Sequence, residues 1–380
     1  MRLITFCLAA VVSIQTGADV RPRARDLGVA PGAMEPGPLN AITDVAGVLV
    51  GQVTVTDGEN VWTGVTAILP HGGNIFRDKV PGAVFVGNAF GKLAGSTQVE
   101  ELGTIESPIV LTNTLSVGTA VDAVVRWTIE QPGNENVRSV NALVGETNDG
   151  GLNDIRGLHV TRDHIATAIT AAKPGRVDEG TVGAGTGTIA FGWKGGIGTS
   201  SRRVGAGDAT HTVGVLVQSN YGGKLVIDGV PIWRELSPRA DAGAAARGSS
   251  QATSPEASAG RAVARDTDAS ADGSCMIIVA TDAPLDAREL RRLAARAIFA
   301  MARTGSTFSH GSGDFAIAFS THRGPAAPLE VSGLFEGTLD ATEEAIYNSM
   351  LKAVDVTGNG RAVRALPIDD VQALLKKYGR

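Results

Sequence analysis

The 380-residue chain has only two cysteines, Cys7 and Cys275, far apart in sequence. That excludes a disulfide framework within one chain and a structural zinc site built on thiolates. Aromatic residues are few, 10 Phe, 4 Trp and 3 Tyr, which leaves little material for stacking bases. No long lysine and arginine run occurs, and the net charge is −5. Both features argue against nucleic acid or an anionic membrane as partner. The densest basic patch, Arg288, Arg291, Arg292 and Arg296, has the spacing of a solvated helix face. No stretch approaches the roughly 18 apolar residues of a membrane-spanning helix. Gly-x-Ser-x-Gly and His-Glu-x-x-His are missing. His159 and His164 are five apart, a poor metal pair on a helix. Gly183, Gly185 and Gly187 in VGAGTGT approach a dinucleotide fingerprint, but the third glycine comes too early, and GWKGGIGTS lacks Walker spacing. Neither a metal nor an organic cofactor is expected.

Glycine is abundant instead, at 49 residues. Tight turns and close backbone approaches are where glycine is used. The length allows two average domains or one large α/β unit. Met1-Arg2, the apolar Leu3 to Ile14 and the small residues Thr16-Gly17-Ala18 read as an export signal cut near Ala18. The expected location is the periplasm of a Gram-negative cell; a buried first strand or helix is the alternative.

Valine-rich Asp44 to Val55 reads as a strand pair or a bulged strand. Val65 to Leu69, Ala83 to Val86, Pro108 to Leu111, Thr188 to Phe191 and Val213 to Val217 read as further strands. Ser116 to Gln131 has helical spacing and stops at Pro132-Gly133. Ser237 to Gly273 differs from all of these: 12 of its residues are alanine, and Ser, Asp, Gly and Arg fill most of the rest. It reads as a mobile loop or linker. The strongly apolar Ser274 to Ala280 follows at once. Leu290, Leu293, Ala297, Ile298 and Met301 form a helical face that starts at Asp286 and Glu289 and ends at Gly305. Phe315 to Phe319 alternates like a strand. Thr342 to Val354 and Pro367 to Tyr378 read as two covering helices.

The segments GPLNAITDVAGVLVG (37–51), VFVGNAFGKLAGSTQVEELG (84–103), GETNDGGLNDIRG (145–157), GAGTGTIAFGWKGGIGTSSR (183–202), LVQSNYGG (216–223), GSCMIIVATDAPL from Gly273 and HGSGDFAIAFST from His310 carry a resemblance. Together they resemble the DmpA/BapA-type aminopeptidases, peptidase family S58, over nearly all of the chain beyond the signal. The resemblance implies an α-β-β-α sandwich like that of N-terminal nucleophile hydrolases, with different connectivity. It implies a precursor that cuts itself between Gly273 and Ser274. The pieces would be signal 1–18, an α-chain 19–273 ending in the 237–273 tract, and a β-chain 274–380, sharing one catalytic domain and assembling as four αβ units.

The roles carried over follow from that likeness. Ser274 would be the nucleophile, with its freed α-amine, whose ordinary pKa is about 7.7, as general base. Ser312 would hydrogen-bond the Ser274 amine or hydroxyl, and Asp314 would hold Ser312 and balance positive charge. Asn220 would donate to the tetrahedral oxygen. Glu146 is a candidate for the substrate's free amine. Gly151 stands where some relatives carry tyrosine, which implies an altered pocket. The residues alone leave plainer readings open: a strand-start serine, a turn serine, a strand-edge carboxylate, a turn asparagine, and a carboxylate capping the Thr147 to Gly150 turn. Strand alternation turns Cys275 away from the side Ser274 faces. The implied activity is removal of an N-terminal residue from a short peptide, amide or ester with a free amine, β-peptides and D-alanyl compounds included. An acyltransferase of similar fold and a non-catalytic binding protein are the rivals; the former use threonine as nucleophile.

Overall fold

The computed structural model describes residues 21–205, 207, 210–238 and 273–380. The expected signal (1–18) and almost all of the alanine-rich tract lie outside the described residues. The strands are β1 (Leu49–Asp57), β2 (Val61–Leu69), β3 (Val80–Ala89), β4 (Leu93–Ala94), β5 (Thr104–Ile105), β6 (Ile109–Asn113), β7 (Leu143–Thr147), β8 (Ile189–Ala190), β9 (Trp193–Lys194), β10 (Gly196–Val204), β11 (His211–Asn220), β12 (Ser274–Thr281), β13 (Gly313–Ser320), β14 (Val356–Gly358) and β15 (Arg361–Val363). The helices are α1 (Ser96–Leu102), α2 (Val117–Ile129), α3 (Arg162–Thr170), α4 (Ile232–Glu235), α5 (Ala287–Arg303), α6 (Ser332–Leu351) and α7 (Ile368–Lys377).

Two mixed sheets, ordered β1-β2-β6-β7-β4 and β10-β11-β12-β13-β3-β5, stack face to face. Alternation along β12 shows how the layers form. Met276, Ile278 and Ala280 enter the core between the sheets with Leu111, Leu143 and Phe315. Cys275, Ile277 and Val279 enter a second core under α5, α6 and α7. A third core joins the outer face of the first sheet to α2 and α3. The result is the expected four-layer α-β-β-α sandwich. Covering both faces explains why β12 reads as one apolar run instead of alternating. It runs parallel to β13, so a crossover must join them, and α5 is that crossover. An Asp286 capping box opens α5: its carboxylate accepts from Glu289 N at 2.8 Å.

Several sequence expectations shift. Asp44 to Val55 is one strand, β1, preceded by a 3₁₀ turn at Ile42–Asp44. Thr188 to Phe191 shrinks to half of the small β8–β9 hairpin. The Thr342 to Val354 helix starts earlier, at Ser332, and Val354 falls in the loop after it. The first half of α6 contains Gly333, Gly337, Thr338 and Asp340, which carry no apolar signal, yet this half is largely buried against β10. Gly337 packs there on Val204 and Arg202, and further along Gly198 on β10 lets the second half of α6 approach, since a Cβ there would meet the Ala345 carbonyl oxygen at 1.9 Å. Beside it the fully buried Arg202 pairs with Glu344 at 2.7 Å. The basic face of α5 is only partly wet: Arg292 and Arg296 lie over the Phe335 ring at 4.6 and 3.9 Å, burying their stems while the charges stay near water.

Candidate active site

The two sheets part at one end to leave a cavity of about 280 Å³. Ser274, Asn220, Glu146, Gly151 and Gly273 all line it. Strand pairing sets Asn220, the last residue of β11, opposite Ser274, the first residue of β12, and the stacking of the two sheets brings Glu146, 128 positions before Ser274, to the same space. Ser274 and Asn220 are both buried. Cys275 points into the opposite core, as alternation predicted, and burial pushes its thiol pKa well up, so it stays an unreactive thiol.

Asn220 is held in one orientation. Its Oδ1 accepts from Ile189 N at 2.9 Å, which leaves Nδ2 as the donor. One Nδ2 hydrogen goes to the Asn148 carbonyl at 3.1 Å, and a second hydrogen remains on the nitrogen. Gly273 is boxed in by the same strand: a Cβ there would lie 2.0 Å from the Asn220 carbonyl oxygen and 2.7 Å from Tyr221 Cα. Only glycine fits before Ser274. The Gly273 carbonyl accepts from Gly313 N at 3.1 Å, a hydrogen bond that polarises it.

Glu146 is buried at the cavity wall. It accepts from Lys92 N at 3.0 Å and from the Thr114 hydroxyl, and Lys92 Nζ lies 3.7 Å away. The plainer reading, that it caps the Thr147 to Gly150 turn, does not hold. Asn148 Oδ1 accepts from Gly150 N instead.

Ser312 and Asp314 pair with one another but do not line the cavity. Ser312 Oγ donates to Asp314 Oδ1 at 2.8 Å, and Asp314 Oδ2 is buried without a hydrogen bond. Register explains their place. Gly313 is the β13 partner of Ser274, while Asp314 partners Cys275 and so shares its face. The pair thus stands behind the strand. Among the described residues no hydrogen bond joins Ser274 to Ser312 in the uncut chain.

Burial pushes the Asp314 pKa up to about 6, from a usual 3.8, against the opposing pull of the Ser312 hydroxyl and the Cys275 amide. The native uncut chain therefore keeps a proton that the unfolded chain gives up at lower pH. The associated stability is present below about pH 4 and is lost as pH rises to about 6, a change of about 3 kcal/mol. We expect urea unfolding of a chain that cannot cut itself (Ser274→Ala) to show this loss between pH 4 and 6. The same chain with Asp314→Asn should lack it; parallel pH profiles for the two would refute the assignment.

Three buried polar residues escaped the sequence reading. Gln218 Nε2 donates to Thr112 O, Thr147 Oγ1 and Ala184 O at 3.2, 2.9 and 2.8 Å, tying the two sheets together one strand turn below Asn220. Lys194 Nζ donates to Gly185 O and Gly195 O at 2.8 and 2.9 Å, bracing the loop that carries Ile189. Burial pulls its pKa down to about 7, and burial pushes that of nearby Asp149 up to about 6. No local pattern marks these residues; the only signal was polar side chains inside glycine-rich, otherwise apolar stretches.

Fold and site together set a buried serine at a strand end opposite a side-chain amide, on the wall of one cavity between two stacked sheets. The profile of peptidase family S58 matches residues 40–363. The β-peptidyl aminopeptidase BapA of Sphingosinicella microcystinivorans is 41% identical, with 94% of this chain and 93% of that protein covered. Among solved structures, the PH0078 protein of Pyrococcus horikoshii OT3 superposes with a TM-score of 0.81 at 42% identity, covering 94% of this chain and 100% of that one. The L-aminopeptidase D-Ala-esterase/amidase of Ochrobactrum anthropi, described as a variant of the Ntn hydrolase fold, gives 0.78 at 34% identity, with 95% and 99% covered. The chain belongs to peptidase family S58 and is an autoprocessed serine-type aminopeptidase and amidase of short peptides and esters.

Proposed function

We propose that the chain cuts itself between Gly273 and Ser274, and that the freed Ser274 then removes the N-terminal residue of short substrates. The observation that carries this reading is the placement of Ser274: it opens a buried central strand at the cavity, behind a glycine that no larger residue can replace.

In maturation the Ser274 hydroxyl attacks the Gly273 carbonyl carbon. The C–N bond breaks, an ester to Ser274 Oγ forms, and the nitrogen becomes the Ser274 α-amine. Water opens the ester and leaves Gly273 as a carboxylate. The Gly313 amide supports this by drawing charge onto the Gly273 oxygen. The products are 274–380 and the chain that ends at Gly273, which begins near residue 19 if the export signal is removed.

In turnover the α-amine, with an ordinary pKa of about 7.7, takes the proton of its own hydroxyl. Glu146 receives the substrate ammonium, and the second Nδ2 hydrogen of Asn220 meets the tetrahedral oxygen. Collapse of that intermediate leaves an acyl-serine and an amine or alcohol that takes the proton from the α-ammonium. Water, deprotonated by the α-amine, completes hydrolysis. The Ser312–Asp314 pair lies beside the Ser274 backbone, which suits it to hold the amine and balance its charge. β-Peptides, as in the name of the BapA relative, and D-alanyl amides or esters, as in that of the Ochrobactrum enzyme, are the two substrate branches. Export to the periplasm, read from Met1 to Ala18, and assembly of four αβ units, implied by the family likeness, complete the proposal.

Intact mass and N-terminal sequencing of the purified protein test the cut. We expect a new terminus at Ser274 and hydrolysis of at least one of the D-Ala, L-Ala and β-homoamino p-nitroanilides. A folded wild-type chain that stays whole and inert would overturn the reading.

A further inference from the structure

Three charged side chains line the catalytic cavity: Glu146, Lys92 and Arg361. Two of them face one another, since Lys92 Nζ lies 3.7 Å from Glu146. The third differs. Arg361 opens β15, and among the described residues its guanidinium has neither a hydrogen-bond acceptor nor an acidic partner. An arginine at a cavity wall with no partner of its own is set up to take a planar anion, because its fork of N–H donors matches a carboxylate.

Its place is built. The β14–β15 hairpin is docked on the loop after Glu146: Asn359 Nδ2 donates to Gly150 O at 3.2 Å. A Cβ at Gly358 would meet Leu152 O at 2.4 Å, so the hairpin lies directly on that loop. The next loop residue, Gly151, keeps the space before the guanidinium open. A Cβ there would stand 3.5 Å from Arg361 Nη1 and 2.9 Å from Ile189 Cδ1. Ile189 in turn holds Asn220. The acid lies against Gly91, Lys92 and Thr114, whereas the arginine lies on the Gly151 side of the cavity. The cavity thus offers a buried anion on one wall and an unpaired cation on another.

We propose that Arg361 binds the free C-terminal carboxylate of the leaving residue, so that the preferred substrates are dipeptides with a free acid. This rests on the reading above, in which Glu146 holds the substrate ammonium and Ser274 attacks the first carbonyl. A dipeptide carries both charges, and the cavity of about 280 Å³ is of its size. Arg361 is a specificity residue: it touches the substrate but not the reacting atoms.

The test uses the acyl residue that wild type releases fastest from a p-nitroanilide. That residue is joined to glycine as the free acid and as the glycinamide. Wild type should favour the acid over the amide by about tenfold or more in kcat/KM, as expected of one charge-assisted pair. Arg361→Gln should bring the ratio to about one, chiefly through KM of the acid, and Arg361→Lys should keep part of it. No acid preference in wild type, or a preference that survives Arg361→Gln, overturns the proposal. Equal loss on acid and amide also overturns it, by assigning the arginine to the protein's own structure. If no nitroanilide is hydrolysed at all, the Ser274 reading fails instead, and the two failures stay distinct.

Discussion

Ser274→Ala should purify as one uncut chain and hydrolyse substrate at a rate at least about 10⁴-fold below wild type, the scale seen when a nucleophile is removed from a serine hydrolase. Two losses coincide in this variant. Without Oγ there is no attack on Gly273, so the α-amine is never released. Without Oγ and the amine there is neither nucleophile nor base. The fold should survive, because alanine fills most of the serine's space and the Asn220 to Ser274 strand pairing uses only backbone. Mass spectrometry, p-nitroanilide turnover and thermal unfolding check the three parts. A Ser274→Ala chain that still yields a terminus at residue 274 would remove the serine from the first step.

Asn220→Ala should lower kcat by about 10²- to 10³-fold, or roughly 2.7–4 kcal/mol, the range for an oxyanion donor. Part of any loss here is structural, since the side chain also accepts from Ile189 N and donates to Asn148 O. Asn220→Asp separates the roles: the carboxylate still accepts from Ile189 N but cannot donate. We expect Asn220→Asp to keep the Ile189 contact but to melt below wild type, because a carboxylate oxygen then faces the Asn148 carbonyl, to mature slowly and to lose kcat on the same scale as Asn220→Ala. Near-normal turnover by Asn220→Asp would show that Nδ2 is not the donor to the tetrahedral oxygen.

Much of the fold was legible where one periodicity dominates. The α5 face from Leu290 to Met301 and the apolar β12 run need no tertiary context, because each is covered by partners on the sides its pattern shows. Legibility failed where glycine replaces the apolar signal. β10, Gly196–Val204, has no apolar run to mark it, yet it is an almost wholly buried strand whose Gly198 lets α6 approach. Its Arg202 is the reverse case: a charge inside the core that only the distant Glu344 makes tolerable.

The site divides in the same way. The sequence by itself determined which groups are available: a serine after Gly273 at the head of an apolar run, an asparagine before a Gly-Gly turn, a hydroxyl and a carboxylate two residues apart, and no thiolate cluster. Through its likeness to a family it also carries the proposal that the cut falls between Gly273 and Ser274. The tertiary structure alone decided which of these groups share a cavity. Register sends Asp314 to the Cys275 face and leaves Gly313 beside Ser274, so the Ser312–Asp314 pair stands behind Ser274. Docking of the β14–β15 hairpin on the loop after β7 sets Glu146 and Arg361, 215 positions apart, on the walls of one space. Local sequence encodes side-chain chemistry and strand alternation. Neighbours across a sheet, and the burial that moves the Asp314 and Lys194 pKa values, come from long-range packing that no short stretch contains.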